Sequence, residues 1–254
     1  MGDPLSPVLE ALDALPAPLD AFVRDDDAGW HDARLLALLD AVDRAGTAID
    51  LAAIPLALSD PLAAELRARI DAAPRRVAVH QHGATHANHQ AEGRKCEFGA
   101  ARTAAVQRSD IRAAWLLLQH LLGGRAQPLF TPPWNRCAVH TPAVLAELGF
   151  AALSRDRGAP QQDALPEIAV DVDWSRRMRE GGPAAAAHAI AEALRARAGD
   201  GAPFGLMLHH AEMDGDEVAL LAGWLARIAR HGAVRWQPMA DLLPTTARAV
   251  ERTP

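Results

Sequence analysis

The stretch Arg76-Val-Ala-Val79 runs directly into His80-Gln-His82-Gly-Ala-Thr-His86-Ala-Asn-His89, so a short apolar run ends in four of the chain's eleven histidines. Upstream, the run Ala21-Phe-Val-Arg24 ends in the three acids Asp25-Asp26-Asp27. Each apolar run has the length and composition of a buried strand. Imidazole nitrogens and a carboxylate are donors that suit a catalytic zinc ion, which uses three protein ligands and leaves one position for water. The alternative is a solvated polar loop that happens to hold histidines.

The composition is that of an ordinary soluble protein, with 50% hydrophobic and 23% charged residues among 254. A formal net charge of -6 argues against nucleic-acid binding, which needs a basic face. The two cysteines, Cys96 and Cys137, imply no disulfide framework. The N-terminal residues lack the features of a signal peptide, and no apolar run is long enough to span a bilayer. We therefore expect a cytoplasmic protein without a transmembrane segment.

Strand-like and helix-like segments alternate along the chain, which predicts an α/β protein with a parallel sheet. About seven to eight such units favour a single barrel, with residues 1–254 as one domain. One predicted helix, 60–70, begins with Asp60 as its N-cap. The predicted strands are 21–24, 48–54, 76–79, 128–131, 151–154, 168–171, 204–208 and 233–236. The predicted helices are 31–45, 60–70, 99–122, 141–148, 183–198 and 214–230.

Polar and aromatic side chains follow the ends of several predicted strands. The carboxyl ends of parallel barrel strands converge on one face, where active sites are built. Five motifs that are far apart in sequence are therefore predicted to share one pocket. In chain order they are the acids at 25–27, the histidines at 80–89, Pro132-Pro-Trp134, Asp171-Val-Asp-Trp174, and His209-His210.

In this order, the motifs resemble those of the polysaccharide deacetylase family of carbohydrate esterases. The matching segments are Phe22-Val-Arg-Asp-Asp-Asp27, His82-Gly-Ala-Thr-His86, Thr131-Pro-Pro-Trp134, Asp173-Trp174 and Met207-Leu-His-His210. The third segment lacks the arginine that the family has there. The resemblance implies a distorted (β/α) barrel of parallel strands and the metal-dependent removal of N- or O-acetyl groups from carbohydrates.

The resemblance also implies which residues hold the ion and which acid acts as the base. The implied metal ligands are Asp27, His82 and His86. Asp26 is the implied catalytic base, although the run of three acids leaves the register open. Asp25 is expected to pair with Arg24 or to face another way.

By the same resemblance, His209 is the general acid that protonates the leaving amine, and Asp173 orients it. His210 is a close rival for this role, because Leu208-His209-His210 also matches the Leu-x-His pattern. Arg136 is predicted to replace the absent arginine beside the base. The predicted substrate contacts are Trp134, Pro133, Trp174 and His210.

Four further polar residues near these motifs have weaker predictions. His80 and His89 are interpreted as structural, because local hydrogen bonding accounts for an isolated histidine more simply than ligation does. Glu97 and Arg102 follow the histidines and lie within possible reach of the pocket.

The predicted function is hydrolysis of a carbon–nitrogen bond other than a peptide bond, in an acetylated amino sugar or a polysaccharide or glycoconjugate precursor. The expected cofactor is Zn²⁺ or another divalent ion such as Co²⁺, Ni²⁺ or Mn²⁺. The alternatives are a barrel that binds metal and sugar without turnover, a hydrolase of another amide or ester, and a metal-free structural barrel. The oligomeric state is left open.

Overall fold

The computed structural model describes residues 2–243, and its centre is one parallel sheet. The strands are paired in the order β5-β4-β3-β2-β1-β7-β6, and β8 pairs with the first residues of β1. The sheet is composed of β1 (Leu19–Ala28), β2 (Ile49–Ala53), β3 (Val77–His82), β4 (Gln127–Thr131), β5 (Ala152–Leu153), β6 (Val172–Asp173), β7 (Phe204–Leu208) and β8 (Val234–Trp236).

Helices surround this sheet, as the alternating pattern predicts. Within the described residues, no helix is both long and apolar enough to cross a membrane. The helices are α1 (Ser6–Asp13), α2 (Asp32–Arg44), α3 (Asp60–Ala72), α4 (Ala104–Leu121), α5 (Thr141–Glu147), α6 (Trp174–Asp200) and α7 (Gly215–His231). Short 3₁₀ turns are formed by Pro133–Asn135, His210–Glu212 and Met239–Leu242.

The barrel closes through an irregular segment rather than through a regular pair of strands. Beyond β5, isolated bridges join Leu153 to Glu167 and Asp156 to Val170. On the other side of this segment, the Asp171 amide donates to the Gly205 carbonyl at 2.8 Å. Isolated bridges and single hydrogen bonds therefore connect β5 to β7 in place of regular strand pairing. The predicted distorted barrel of parallel strands is confirmed.

The apolar residues divide into an outer layer and an interior. The outer layer packs the helices against the sheet, and it includes Leu35, Leu38 and Val42 on one stripe of α2. The interior cluster contains Phe22, Leu129 and Met207, which point inward from three strands. Because interior and outer positions alternate along each strand, the same alternation decides which polar residues enter the interior.

Several sequence predictions needed correction. The acids 25–27 lie inside β1 rather than after it. The predicted strand 168–171 is the irregular closing segment, and regular pairing begins only at Val172. Helix α1 was not predicted. The predicted helix 183–198 begins earlier, at Trp174, and has a break at Gly181-Gly182.

The N-cap of α3 is also corrected. The capping residue is Ser59, whose hydroxyl accepts a hydrogen bond from the Leu62 amide at 3.3 Å. Asp60, the predicted cap, is the first residue of the helix.

Gly205 on β7 lies close against the Phe22 ring in the interior of the barrel. A Cβ atom at this position would lie 2.5 Å from the Phe22 ring and 2.8 Å from the Ala169 carbonyl oxygen. We expect Gly205→Ala to lower the free energy of unfolding by about 1–3 kcal/mol through overpacking. The matched control is Gly223→Ala on exposed α7, which meets no atom within 4 Å and should stabilise by up to about 1 kcal/mol. Urea unfolding of the two variants measures both, and equal effects would contradict the packing argument.

Candidate metal and catalytic site

Asp27, His82 and His86 converge at the carboxyl end of the sheet. One ligand atom from each lies within 4.8 Å of the other two. The Asp27 Oδ1 atom is 3.3 Å from His82 Nε2 and 3.2 Å from His86 Nε2. The same oxygen is buried and receives no hydrogen bond. A buried anionic oxygen facing two imidazole nitrogens is the donor set that a divalent ion satisfies, so these residues fit the implied metal.

The second nitrogen of His82 fixes which tautomer faces this centre. His82 Nδ1 lies 3.0 Å from the Thr131 carbonyl oxygen, which can only accept. A proton therefore lies on Nδ1, and Nε2 faces Asp27 and His86. Burial alone would lower the pKa of His82, but the Asp27 and Asp26 carboxylates raise it, and these same groups would favour a cation at Nε2. Metal-binding histidines commonly have such a carbonyl partner behind them. Burial lowers the pKa of His86 to about 4, so that ring is neutral, as a metal ligand must be.

A bulge at the end of β1 turns Asp27 toward the histidines. The register between β1 and β2 shifts between Asp25 and Ala28, and Asp27 has a φ of 71°. In a regular strand Asp25 and Asp27 would face the same side. The left-handed conformation, which aspartate tolerates better than most residues, breaks that alternation. The bulge therefore allows two neighbouring acids, Asp26 and Asp27, to face the site.

Glu97 holds the loop between the two histidine ligands. Its carboxylate accepts from the Thr85 amide at 2.9 Å and from the Ala84 amide at 3.3 Å. Gly83 has a φ of 59°, and a Cβ there would lie 2.2 Å from the Glu97 carboxylate. The loop therefore requires glycine at this turn. Arg102 donates to the Glu97 carbonyl rather than into the pocket.

Asp26 is held by Arg24, two residues before it on the same strand. Arg24 Nε donates to Asp26 Oδ1 at 2.8 Å, and Nη2 donates to Oδ2 at 2.9 Å. Burial would raise the pKa of Asp26, but Arg24 and the nearby rings of His82 and His209 lower it below its ordinary value. Asp26 is therefore ionised at neutral pH. Each carboxylate oxygen has a second lone pair, so the ion pair leaves Asp26 able to accept a proton.

Arg24 is fully buried, and its remaining donors bind to three other parts of the barrel. Nη1 donates to Ser154 Oγ at 2.7 Å, and Nη2, which also donates to Asp26, faces Asn135 Oδ1 at 2.7 Å and Met207 Sδ at 2.9 Å. Arg24 thus occupies the place beside the base that we had predicted for Arg136. Arg136 does not reach Asp26, and its Nη1 donates to the Lys95 carbonyl at 3.1 Å.

Asp25 faces away from the site and pairs with His210. Asp25 Oδ2 is 2.6 Å from His210 Nδ1, and Oδ1 accepts from the His210 amide at 2.9 Å. His210 Nε2 is 2.7 Å from the Trp30 carbonyl oxygen. Both ring nitrogens face acceptors, so the ring is an imidazolium. The expected pairing of Asp25 with Arg24 is not found, and His210, which is 1% exposed, does not line the pocket as predicted.

His209 is the histidine at the end of β7 that faces the site. Its side chain is 23% exposed, and its charge acts on both Asp26 and Asp27. His209 Nδ1 is 4.0 Å from Asp173 Oδ1, which is beyond hydrogen-bond distance, and Nδ1 is buried without a partner. Asp173 instead accepts from the Arg176 amide at 3.0 Å and caps α6. The structure therefore brings His209 and Asp173 close without joining them.

Two tryptophans flank the candidate metal ligand His86. The Trp134 ring lies 4.4 Å from the His86 ring, and the Trp30 ring lies 4.9 Å from it. Trp30 is 38% exposed, and Trp134 is half-buried. Together they form an aromatic wall at the mouth of the site.

The other two predicted substrate contacts lie elsewhere. Trp174 is fully buried between α6 and α7, where its Nε1 donates to Glu217 at 2.7 Å and its ring packs on Trp224. Pro133 is buried, and its ring approaches the space beside Gly83. Trp174 therefore supports helix packing, whereas Pro133 lies against the loop that carries the histidines.

The structural interpretation of His80 agrees with its surroundings. His80 is buried with Nε2 at 2.8 Å from Thr131 Oγ1, and burial lowers its pKa to about 3. His89 is exposed, and its amide donates to the Cys96 carbonyl.

Sequence reasoning missed Arg24, Trp30 and the support from Glu97. For Arg24 a signal was present, because residues two apart in a strand share a face and Asp26 was already a candidate base. Trp30 and Glu97 lie in irregular loops, where no periodicity indicates the direction of a side chain.

The buried pair of Asp25 and His210 makes stability depend on pH. The Asp25 carboxylate and the Trp30 carbonyl outweigh burial and raise the pKa of His210 to about 9. A raised pKa means that the stabilisation is complete below about pH 6.5 and is lost as the pH rises through about 9.

We expect the free energy of unfolding to fall by roughly 3 kcal/mol between about pH 6 and pH 10 relative to His210→Gln. The control is His188→Gln, which removes an exposed histidine paired with Glu192 on α6. Urea titrations across this range decide the matter, and parallel curves for wild type and His210→Gln would contradict the imidazolium assignment.

Comparison with known proteins places this geometry on a familiar fold. No family model matches the sequence, and no curated protein matches it either. A solved structure from Mycobacterium smegmatis, provisionally described as a polysaccharide deacetylase, aligns with a TM-score of 0.68 and 17% identity over 95% of this chain and 94% of its own. A family 4 acetyl xylan esterase from Clostridium thermocellum, in complex with a cobalt ion, aligns with a TM-score of 0.56 and 12% identity. The alignment covers 92% of this chain and 96% of its own.

The same fold also occurs without activity. A CE4 family pseudoenzyme from Bacillus anthracis aligns with a TM-score of 0.56 and 12% identity over 91% of this chain and 66% of its own. Likeness of fold alone therefore does not decide the chemistry. The chain shares the fold of the polysaccharide deacetylases and family 4 carbohydrate esterases, as its motifs predicted.

Proposed function

We propose that this protein is a metal-dependent hydrolase that removes an acetyl group from an acetylated sugar, with an N-acetylated amino sugar as the preferred substrate. The observation that carries the proposal is the convergence of Asp27, His82 and His86 beside Asp26, which is ionised and clamped by Arg24. A structural barrel has no need for an unpartnered buried carboxylate oxygen that faces two imidazoles.

Asp27, His82 and His86 would hold the ion. A divalent ion such as Zn²⁺ or Co²⁺ supplies Lewis-acid polarisation of the acetyl carbonyl and lowers the pKa of water. The esterase from Clostridium thermocellum that shares this fold was solved with cobalt. The borderline donor set of two nitrogens and one oxygen suits either metal.

Asp26 would take the proton from the attacking water. Its carboxylate is buried and ionised, and Arg24 fixes its orientation through two parallel hydrogen bonds. The base is therefore held by a residue of its own strand. This arrangement supplies the orientation that the missing arginine after β4 would otherwise provide.

His209 would protonate the departing amine. It is the partly exposed histidine on the β7 side of the site, and it helps to lower the pKa of both Asp26 and Asp27. Asp173 Oδ1 lies 4.0 Å from His209 Nδ1, so Asp173 would act as an electrostatic neighbour rather than as a hydrogen-bond partner. The base and the acid thus come from different strands, β1 and β7, which are paired neighbours.

The sugar would lie against the aromatic wall formed by Trp30 and Trp134. Aromatic faces give apolar contact area at low conformational cost, and both rings flank a metal ligand. The second candidate function is a barrel that binds metal and sugar without turnover, as the pseudoenzyme that shares the fold suggests. The intact clamp on Asp26 favours turnover, since binding alone requires no oriented base.

The first test separates turnover from metal binding. We expect Asp26→Asn to retain about one zinc per chain and to lose acetate release from N-acetyl chitooligosaccharides by about 100-fold or more. We expect Asp27→Asn and His82→Ala to lose both metal and activity. Elemental mass spectrometry and an acetate assay measure the two quantities. A wild type that binds zinc but releases no acetate would leave the non-catalytic barrel as the function, and one that binds no divalent ion would reject both.

The second test concerns the clamp on the base. We expect Arg24→Gln to lower kcat by about 100-fold and to move the acidic limb of the pH–rate profile to higher pH, because the positive charge no longer lowers the pKa of Asp26. Arg24→Lys keeps the charge and should restore the position of that limb, but not the full kcat.

The matched control for the clamp is Arg155→Gln. Arg155 is also buried and binds Glu167 through two parallel bonds of 2.8 and 2.9 Å, outside the site. Thermal unfolding is recorded for every variant. If Arg24→Gln and Arg155→Gln lost activity equally, with no shift of the pH profile, the clamp would be structural only.

A further inference from the structure

Three cations border the mouth of the metal site on its β4 side. They are Arg94, Lys95 and Arg136, and we call them the basic rim. Arg94 and Lys95 are exposed, and Arg136 is half-buried. The protein as a whole is acidic, with a formal net charge of -6, so a local group of cations is not a consequence of composition.

Backbone contacts fix the basic rim in place. Arg136 Nη1 donates to the Lys95 carbonyl at 3.1 Å, and Cys96 Sγ lies 3.3 Å from the Arg136 carbonyl. A bridge between Phe98 and Cys137 joins the same two segments. The loop that follows the histidine ligands is therefore fastened to the turn that follows β4.

The basic rim adjoins the metal ligands through Trp134. Lys95 Nζ lies 5.9 Å from the centroid of the Trp134 ring. Trp134 also contacts the candidate metal ligand His86, and the centroids of the two rings are 4.4 Å apart. A sugar placed against Trp134 would therefore have the Lys95 ammonium beside it.

The cations of the basic rim lack carboxylate partners. Within residues 2–243, no ion pair joins a carboxylate to Arg94, Lys95 or Arg136. The nearby arginines Arg155 and Arg157 are both paired, with Glu167 and Asp171.

The charges around Arg136 act in opposite directions. Burial and the positive charge of Arg94 lower the pKa of Arg136, whereas Asp156 has a smaller effect in the opposite direction. Two cations held near each other without a carboxylate partner have a repulsion that a bound anion would relieve.

The other sides of the site's mouth present apolar and acidic residues. On the side of β1 and β2 it presents the exposed apolar residues Trp30 and Leu56. On the side of β5 and β6 it presents Asp156 and Asp173. Arg157, Arg176 and Arg177 lie beside these acids, but each is paired with a carboxylate. The basic rim differs from them because, within the part of the chain that the structure describes, its cations have no such partner.

We propose that the basic rim binds an anionic group of the substrate, a carboxylate or a phosphate, on the sugar that loses its acetyl group or on the sugar next to it. This proposal rests on the proposed function and narrows its substrate class to acidic acetylated glycans. Guanidinium groups bind planar carboxylates and phosphates through two bonds, and a lysine supplies a mobile point charge.

The experiment compares three acetylated probes that differ in charge. They are a neutral pentamer of N-acetylglucosamine, a hexasaccharide of alternating glucuronic acid and N-acetylglucosamine, and N-acetylglucosamine 1-phosphate. We expect the zinc-loaded wild type to have a kcat/KM at least tenfold higher for one anionic probe than for the neutral pentamer. Whichever anionic probe is preferred identifies the carboxylate or the phosphate as the ligand.

The variant removes the basic rim by Arg94→Gln, Lys95→Gln and Arg136→Gln together. We expect the anionic-to-neutral ratio of kcat/KM to fall at least tenfold. The matched control removes the same net charge from the exposed, remote residues Arg112, Arg195 and Arg230, and it should leave the ratio unchanged. A wild type without anionic preference, or a triple variant with the wild-type ratio, would overturn the proposal.

A binding measurement keeps this proposal separate from the proposed function. If no probe releases acetate, calorimetric titration with the two anionic probes still tests the basic rim. Binding that is at least tenfold weaker in the triple variant than in its control would support the rim and reject only the hydrolysis. Equal binding, or no binding, would reject the rim as an anion site.

Discussion

The buried ion pair of Arg24 and Asp26 is the interaction around which the interior of the barrel is arranged. The side chains are 0% and 3% exposed, and removing one partner from such a pair typically costs about 3–5 kcal/mol. Ser154, Asn135 and Met207 satisfy the rest of the guanidinium from three other parts of the barrel. The Arg24 guanidinium therefore fixes Asp26 and also bonds to residues on or next to the surrounding strands.

A second buried acid shows how the charge in this interior is distributed. Asp50 on β2 is the cross-strand partner of Arg24, and its Oδ2 accepts from the Met239 amide at 3.0 Å. Burial raises the pKa of Asp50 to about 7, although Arg24 opposes that shift. Arg24 forms its hydrogen bonds with Asp26 rather than with Asp50. The charge of Arg24 is thus directed to Asp26 rather than to Asp50.

The alternation of strand-like and helix-like segments was sufficient to predict the parallel α/β barrel. The family resemblance, rather than spacing alone, selected Asp27, His82 and His86, which the structure brings together. The sequence was not sufficient to predict Arg136 and Trp174 correctly. Arg136 is close to the site in sequence, but its carbonyl and guanidinium fasten a loop. Trp174 begins a helix, and packing against Trp224 decides its direction. Such orientations depend on tertiary contacts that leave no periodic signal in the chain.

Backbone strain is concentrated near the site. Within residues 2–243, the non-glycine residues with positive φ are Asp27, His31, His86, Trp134 and Asn135. Two of them are candidate metal ligands, one flanks His86, one binds Arg24, and the fifth, His31, precedes α2. Such conformations are retained when surrounding contacts over-determine them, and the Glu97 carboxylate and the Arg24 guanidinium supply such contacts here.

The three consecutive acids of β1 have three different surroundings, because the strand alternates and then bulges. Asp25 faces outward to His210, Asp26 faces inward to Arg24, and Asp27 turns to the histidines. A strand has a side-chain period of two, so the insertion or deletion of one residue before the bulge would exchange the two faces. The arginine would then enter the helix layer, and the imidazolium would lose its carboxylate. The chain length of this segment therefore decides which surroundings each acid enters. A designer who moved this site to another barrel would have to transfer the strand and its bulge as one unit.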